Sequence, residues 1–389
     1  MRANAIPRSV WALGFVSMFM DISSEMIHSL LPVFLLTVLG ANTTTVGLIE
    51  GIGEATASIT RVFSGWASDR LRKRKLLTVI GYGLGTVSKP LFAVAPAASW
   101  VLLARFSDRI GKGIRDAPRD ALIGDLVPDQ LRGAAYGLRQ ALDTVGAFTG
   151  PLLGMALMAA FNNDFRLVFW AAGIPGLAAV ITLLFGVRES APAGRAALTE
   201  APIRWSELSR VGRLFWLVVA TGAILTLDRF SEAFLVLRAA DAGLPIALVP
   251  LVMVVMNVVY AACAYPSGAL SDRVDRRLIL AAGFAVLILA DLVLAFAATI
   301  AAVMAGVALW GLHLGMTQGL LAALVADAAP AELRGTAFGV FSFASGIASL
   351  LASFIAGLVW QLIGPSATFM AGAAFVTIGL LGLASFVRR

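Results

Sequence analysis

The chain has 389 residues, 59% of them hydrophobic and 14% charged, with a formal net charge of +7 and a pI near 10.2. Its apolar runs approach twenty residues, which excludes an ordinary soluble domain. The basic residues punctuate those runs instead of forming a soluble basic surface, which excludes a nucleic-acid-binding protein.

In chain order, apolar runs between polar breaks predict helices at 10–39, 44–66, 76–95, 98–121, 134–160, 165–186, 211–238, 246–268, 278–297, 300–326, 336–360 and 366–386. A bilayer core about 30 Å thick needs about 20 helical residues, so each run is long enough to cross. The expected fold is an all-α membrane protein of twelve transmembrane helices in two pseudo-symmetric six-helix bundles, which leaves little for a soluble domain. Arg2 and Arg8 precede the first run as in a signal peptide, but that run is too long for one and continues as a retained span. The single cysteine, Cys263, cannot form an internal disulfide.

Lys and Arg fall at 2–8, 70–75, 132, 188–213, 273–277, 334 and 388–389, which are alternate connections and both ends. The turns near 40–44, 96–98, 298–300 and 361–365 have none, and 161–166 and 239–245 carry only Arg166. The positive-inside rule therefore predicts cytoplasmic termini in a cell inner (plasma) membrane. The longest polar stretch, Arg188 to Arg210, contains Pro192, Gly194 and Pro202 and divides the spans six and six. The expected organisation is an N-terminal six-helix bundle at 1–187, a cytoplasmic linker at 188–210 and a C-terminal six-helix bundle at 211–389. The halves repeat each other: Gly65, Ser68, Asp69 and Arg70 recur as Gly268, Ser271, Asp272 and Arg273. Asp125, Pro128, Leu131, Arg132 and Gly133 recur as Asp327, Pro330, Leu333, Arg334 and Gly335. Duplicated six-helix halves are the architecture of alternating-access carriers.

Ionisable groups inside spans are costly and normally face a cavity or a partner. Span 1 has Asp21, Glu25 and His28 on one helical face, and span 7 repeats the acidic spacing with Asp228, Ser231 and Glu232. A carboxylate that meets water on each side in turn can carry a proton. The competing expectation is a structural ion pair with the bases of span 4. Span 2 adds Glu50 and Glu54, one of them expected near the outer mouth. Span 4 carries Arg105, Asp108, Arg109, Lys112, Arg115, Asp116, Arg119 and Asp120, largely as a stripe at three- and four-residue steps. The deeper Arg105, Asp108 and Arg109 suit a cavity role, and the far end could snorkel into headgroups. The two histidines, His28 and His313, with Met316, Gln318 and the carboxylates, offer a transient site for nickel, cobalt or zinc.

The stretch Gly65-Trp66-Ala67-Ser68-Asp69-Arg70-Leu71-Arg72-Lys73, its counterpart Gly268-Ala269-Leu270-Ser271-Asp272-Arg273, and Gly146, Gly150, Pro151 and Gly154 in span 5 resemble signature motifs of the major facilitator superfamily. The resemblance covers the whole chain. It implies that the loop motif, with Asp69, Arg70, Asp272 and Arg273, gates the transport cycle. It also implies that spans 1 and 7 line the cavity, that Arg105 is the span-4 arginine linked to proton coupling, and that the span-5 glycines mark an exporter. The same glycines serve equally as a packing seam. Met20-Asp21-Ile22-Ser23-Ser24-Glu25-Met26 and the run from Asp108 to Asp120 resemble a bacterial branch that includes nickel-resistance permeases.

The expected activity is proton-coupled efflux of a small solute by a monomer embedded in the lipid bilayer, with no cofactor and a transition-metal cation or complex as one substrate. The alternatives are export of an organic or phosphorylated anion or a drug and, from another class, a membrane-embedded enzyme or a sensor. Against those last two, the chain has no zinc-protease helix motif, nucleophile elbow or phosphate-binding glycine loop, and no soluble output domain.

Overall fold

The computed structural model describes residues 6–71, 73–188, 213–227, 229–271, 274–328 and 334–387. Every regular element among them is helical: α1 (Arg8–His28), α2 (Leu31–Thr37), α3 (Thr43–Leu71), α4 (Arg74–Val94), α5 (Ala98–Leu126), α6 (Arg132–Ala160), α7 (Phe165–Gly186), α8 (Arg213–Thr226), α9 (Ala233–Asp241), α10 (Leu251–Ser271), α11 (Arg276–Phe296), α12 (Ile300–Ala328), α13 (Arg334–Leu362) and α14 (Pro365–Val387). With α1 and α2 as one crossing and α8 and α9 as another, these make the twelve expected spans. By length and composition, eight described helices are apolar enough to cross a membrane. The ion-rich α5 is not among them.

Two spans are broken where continuous helices were expected. In span 1, α1 ends at His28 and α2 starts at Leu31. Pro32 has no N–H to offer the His28 carbonyl, and the Ser29 hydroxyl instead donates to the Glu25 carbonyl at 2.7 Å. In span 7, α8 stops at Thr226 and α9 begins at Ala233, so Ser231 and Glu232 lie in the break. The offset of 203 that relates Gly65 to Gly268 places Ser29–Leu30 opposite Glu232–Ala233, so the break in span 1 maps onto the C-terminal edge of the break in span 7.

The packing forms two compact units, one from the described residues of Met1–Leu30 and Thr56–Pro202, the other from those of Leu31–Ala55 and Ile203–Arg389. In lipid there is no hydrophobic drive between helices, so close backbone packing and polar contacts must hold them. In the first unit a Cβ on Gly81 would come within 2.7 Å of the Gly111 carbonyl, and one on Gly111 within 2.7 Å of the Gly81 carbonyl, so α4 and α5 meet at their backbones. Gly146 and Gly150 of α6 similarly abut the Met18 and Ile22 carbonyls of α1. In the second unit Gly311 lies against Met256, and Gly315 against Tyr260, Cys263 and Ala264, joining α12 to α10. Also in the second unit, α2 and the first half of α3 pack on C-terminal helices. Thr43 Oγ1 donates to the Gly357 carbonyl at 3.0 Å, and Gly47 and Gly51 leave no room for side chains against Ser353 and Leu350.

Arg166 and Arg238 interrupt the otherwise base-free side, and both cap helix ends. Arg166 donates to the carbonyls of Ala93 and Ala95, at 2.7 and 2.9 Å, closing α4. Arg238 donates to those of Leu294 and Ala297, at 2.9 and 2.6 Å, closing α11, and pairs with Asp241. These carbonyls have no intrahelical donor and lie at the negative end of the helix dipole. Arg238→Met should therefore destabilise the protein by about 1.5–3 kcal/mol, read as a lower thermal midpoint in detergent, with partial recovery in Arg238→Lys. An unchanged midpoint would refute the capping role.

Candidate functional site

Within the first unit, α1 turns the face carrying Asp21, Glu25 and His28 toward α5 and α6. The span-5 motif is what permits this approach: a Cβ on Gly146 would fall 2.8 Å from Asp21 Cβ, and one on Gly150 2.8 Å from Glu25 Cβ. These glycines are thus a packing seam that seats the two carboxylates.

The glycine contact between α4 and α5 brings in a residue that sequence reasoning missed. Lys89, completely buried, places Nζ 2.8 Å from Asp108 Oδ1 and 3.0 Å from Ser24 Oγ. The Ser88 hydroxyl reaches the same Asp108 oxygen at 3.4 Å. Asp108 Oδ2 lies 3.8 Å from His28 Nε2, and His28 Nδ1 lies 3.5 Å from Glu25 Oε1. Four titratable groups from three helices therefore form a continuous chain. Its exposure falls from 23% at the Glu25 side chain through 12% at His28 and 3% at Asp108 to 0% at Lys89. The signal for Lys89 was present, since a lysine in an apolar span is as costly as the acidic residues that were singled out.

A second ion cluster occupies the other end of the α5 stripe. Asp116 is shared by Arg61 at 2.5 Å, Arg119 at 3.7 Å and Arg115 at 3.9 Å. The Arg115 guanidinium stacks over the Tyr82 ring at 4.8 Å, and Arg119 reaches Asp120, Ser17 and Tyr82. Arg115, Asp116 and Arg119 are all buried, so this end does not snorkel into headgroups. It is held inside the unit by carboxylates, hydroxyls and an aromatic face. Asp21 lies in the field of Asp143, Lys112, Arg115 and Arg119, and Asp143 pairs with Arg139 at 2.7 Å. Arg105 and Arg109 are buried on the same face of α5, near enough to His28 to act on its charge.

Asp228, Asp272 and Arg273 lie outside the described residues, as does the side chain of Asp69 in the first unit. Gly65 and Arg70 lie near the end of α3, with Arg70 stacked 5.5 Å over Trp66, and Gly268 lies near the end of α10. Glu232 is the N-cap residue of α9. Glu50 is buried, with Oε2 3.2 Å from the Ser231 hydroxyl, while the Ser231 N–H donates to Ser353 Oγ at 3.1 Å. His313 is fully buried, with Nδ1 2.9 Å from the Gly283 carbonyl and its ring against Phe284.

The transition-metal reading is corrected by this geometry. Among the described residues no group of three or more His, Cys, Asp or Glu could hold a metal ion. His28 sits in the repulsive field of Arg105 and Arg109, and the Nδ1 of His313 is engaged by a backbone carbonyl.

The family model of the Major Facilitator Superfamily matches residues 13–236 and 233–389. An uncharacterised MFS-type transporter of Methanocaldococcus jannaschii is 34% identical over 97% of this chain and 94% of its own length. Multidrug resistance protein MdtH of Photorhabdus laumondii is 30% identical over 54% of this chain and 48% of its own. The solved structure of the nucleoside transporter NupG superposes with a TM-score of 0.81 at 10% identity, covering 97% of this chain and 99% of that one, and so attests the fold. These comparisons lend nothing to the nickel-resistance branch. With the family model spanning nearly the whole chain and a full-length transporter relative beside it, the chain belongs to the Major Facilitator Superfamily.

Proposed function

We propose that this chain exports a small organic solute from the cytoplasm in exchange for protons, its halves at 1–187 and 211–389, joined by the 188–210 linker, providing alternating access. The observation that carries the reading is the buried chain Glu25–His28–Asp108–Lys89. A purely structural ion pair needs two members and no histidine, whereas this chain has four, graded from a partly exposed Glu25 to a fully buried Lys89. Likeness to a multidrug resistance protein supports export. The charge pattern of the connections supports cytoplasmic termini in the inner membrane. Asp21, Arg105, Arg109, Asp228, Glu232 and His313 belong in this reading to the coupling and substrate machinery, and Gly65, Asp69, Arg70, Gly268, Asp272 and Arg273 to conformational gating.

A specific observation favours an anionic solute as the second reading. Arg105, Arg109, Arg115 and Arg119 are all buried along α5, a run of guanidinium groups that suits an oxyanion.

Purified protein in proteoliposomes tests both. A panel of cationic, neutral and anionic organic compounds is added with a pH-sensitive dye trapped inside, and at least one compound should move protons in the opposite direction. Net proton movement with anions alone would favour the second reading. Solute flux that ignores the pH gradient for every transported compound would overturn the coupling.

A further inference from the structure

We infer that Glu25, His28, Asp108 and Lys89 form a one-ended proton relay, in which the His28 ring carries the proton and Lys89 is the charge released at its buried end. The inference rests on the proton-coupled reading and adds the route.

Connectivity is the first support. The imidazole lies between two carboxylates and presents a different nitrogen to each, Nδ1 to Glu25 at 3.5 Å and Nε2 to Asp108 at 3.8 Å. Both separations exceed a hydrogen bond, so the ring serves the two partners by small movements in turn. Position is the second. His28 is the last residue of α1, next to the break at Ser29–Leu30, and is not clamped within a continuous helix. The third is the charge around it. Glu25 faces the ring from its own helix, Asp108, Arg105 and Arg109 from α5, and Lys89 of α4 stands beyond Asp108. From α6 the neighbour at Glu25 is Gly150. The carboxylates attract a proton to the ring and the guanidinium groups repel it, an arrangement for passing a proton on.

The transfer balances without any other reactant. Protonated Glu25 gives its proton to Nδ1, the ring gives the proton on Nε2 to Asp108, and Glu25 is left as carboxylate while Asp108 becomes neutral. The ring ends in its other tautomer and resets by turning over. Lys89 then loses its counter-ion and keeps only neutral hydrogen-bond partners, Ser24 Oγ and the Asp108 oxygen that did not take the proton. A buried ammonium in that position is costly, so it must move away from the neutralised pair. Because Asp108 and Lys89 stand on the two helices that meet at Gly81 and Gly111, that response acts on the α4–α5 seam.

The experiment is a pH jump on the full chain in lipid films, followed by infrared absorption of protonated carboxyl groups. One band should be missing in Asp108→Asn. His28→Ala should reach the same end point as the parent about a hundredfold more slowly, and added imidazole should restore the rate. A parent-like rate in His28→Ala, or a slow rate that imidazole leaves unchanged, overturns the relay. If His28→Ala fails to insert, Glu25→Gln decides: slowed filling of the Asp108 band supports the relay, and parent-like filling refutes it. Absence of any such band in the parent defeats the proton-coupled reading as well.

Discussion

Lys89→Met should destabilise the first unit by about 3–5 kcal/mol, the usual consequence of leaving one member of a buried ion pair alone. The lysine is fully buried and its ammonium is 2.8 Å from Asp108, so its loss leaves that buried carboxylate without its ion-pair partner, with the Ser88 hydroxyl at 3.4 Å, a histidine 3.8 Å away and Arg109 acting on its charge. Adding Asp108→Asn removes the stranded charge, and the double variant should recover most of the loss. Thermal midpoints of the two single variants and the double variant form the cycle that isolates the pair. Transport should behave differently: pH-driven flux should be lost in all three, because restoring the packing does not restore titration. Lys89→Arg separates charge from geometry. It keeps the cation but replaces a compact ammonium on a flexible stem with a larger planar fork, so a folded Lys89→Arg with reduced pH-driven flux is expected. Full pH-driven flux in that variant would show that Lys89 only anchors Asp108.

The spans were legible because hydrophobic thickness dictates their length. Even α5, too charged for a hydropathy criterion, was recognisable between the polar breaks that bound it. The break in span 1 had a visible signal in Pro32. The break in span 7 had none, since no proline falls between Arg213 and Asp241. Tertiary bonds hold that segment, from Ser231 to Glu50 and Ser353, and these partners lie far away in sequence.

In the site, the face shared by Asp21, Glu25 and His28 followed from helical periodicity. The partnership of Lys89 with Asp108 did not, because it depends on α4 and α5 approaching through Gly81 and Gly111. The burial of Arg115, Asp116 and Arg119 was equally hidden. A charged stripe near a helix end has the same sequence whether it reaches headgroups or stacks on a tyrosine from the next helix.

Cross-linking Thr44→Cys to Gln361→Cys, in a Cys263→Ala background, should reduce transport to background, and reduction of the link should return it to the parent level. In the second unit Thr44 Oγ1 donates to Gln361 Oε1 at 2.6 Å, so a short bis-methanethiosulfonate can span the pair. The contact belongs to a zipper of small residues. Thr43 bonds the Gly357 carbonyl, Gly357 has no room for a Cβ against Thr43 and Thr44, and Gly47 and Gly51 rest on the backbone of Ser353 and Leu350. Backbones this close have no intermediate spacing, and the seam is either shut or parted. The segment Leu31–Ala55 is continuous in sequence with the first unit but packs with the second, and in the alternating-access reading proposed above a cycle parts this zipper. A covalent link between α3 and α13 forbids that movement without touching the ion network. Thermal stability should rise while flux disappears, which distinguishes an arrested cycle from a damaged protein. Cross-linked protein that still transports at the parent rate would show that α3 and α13 remain together throughout the cycle.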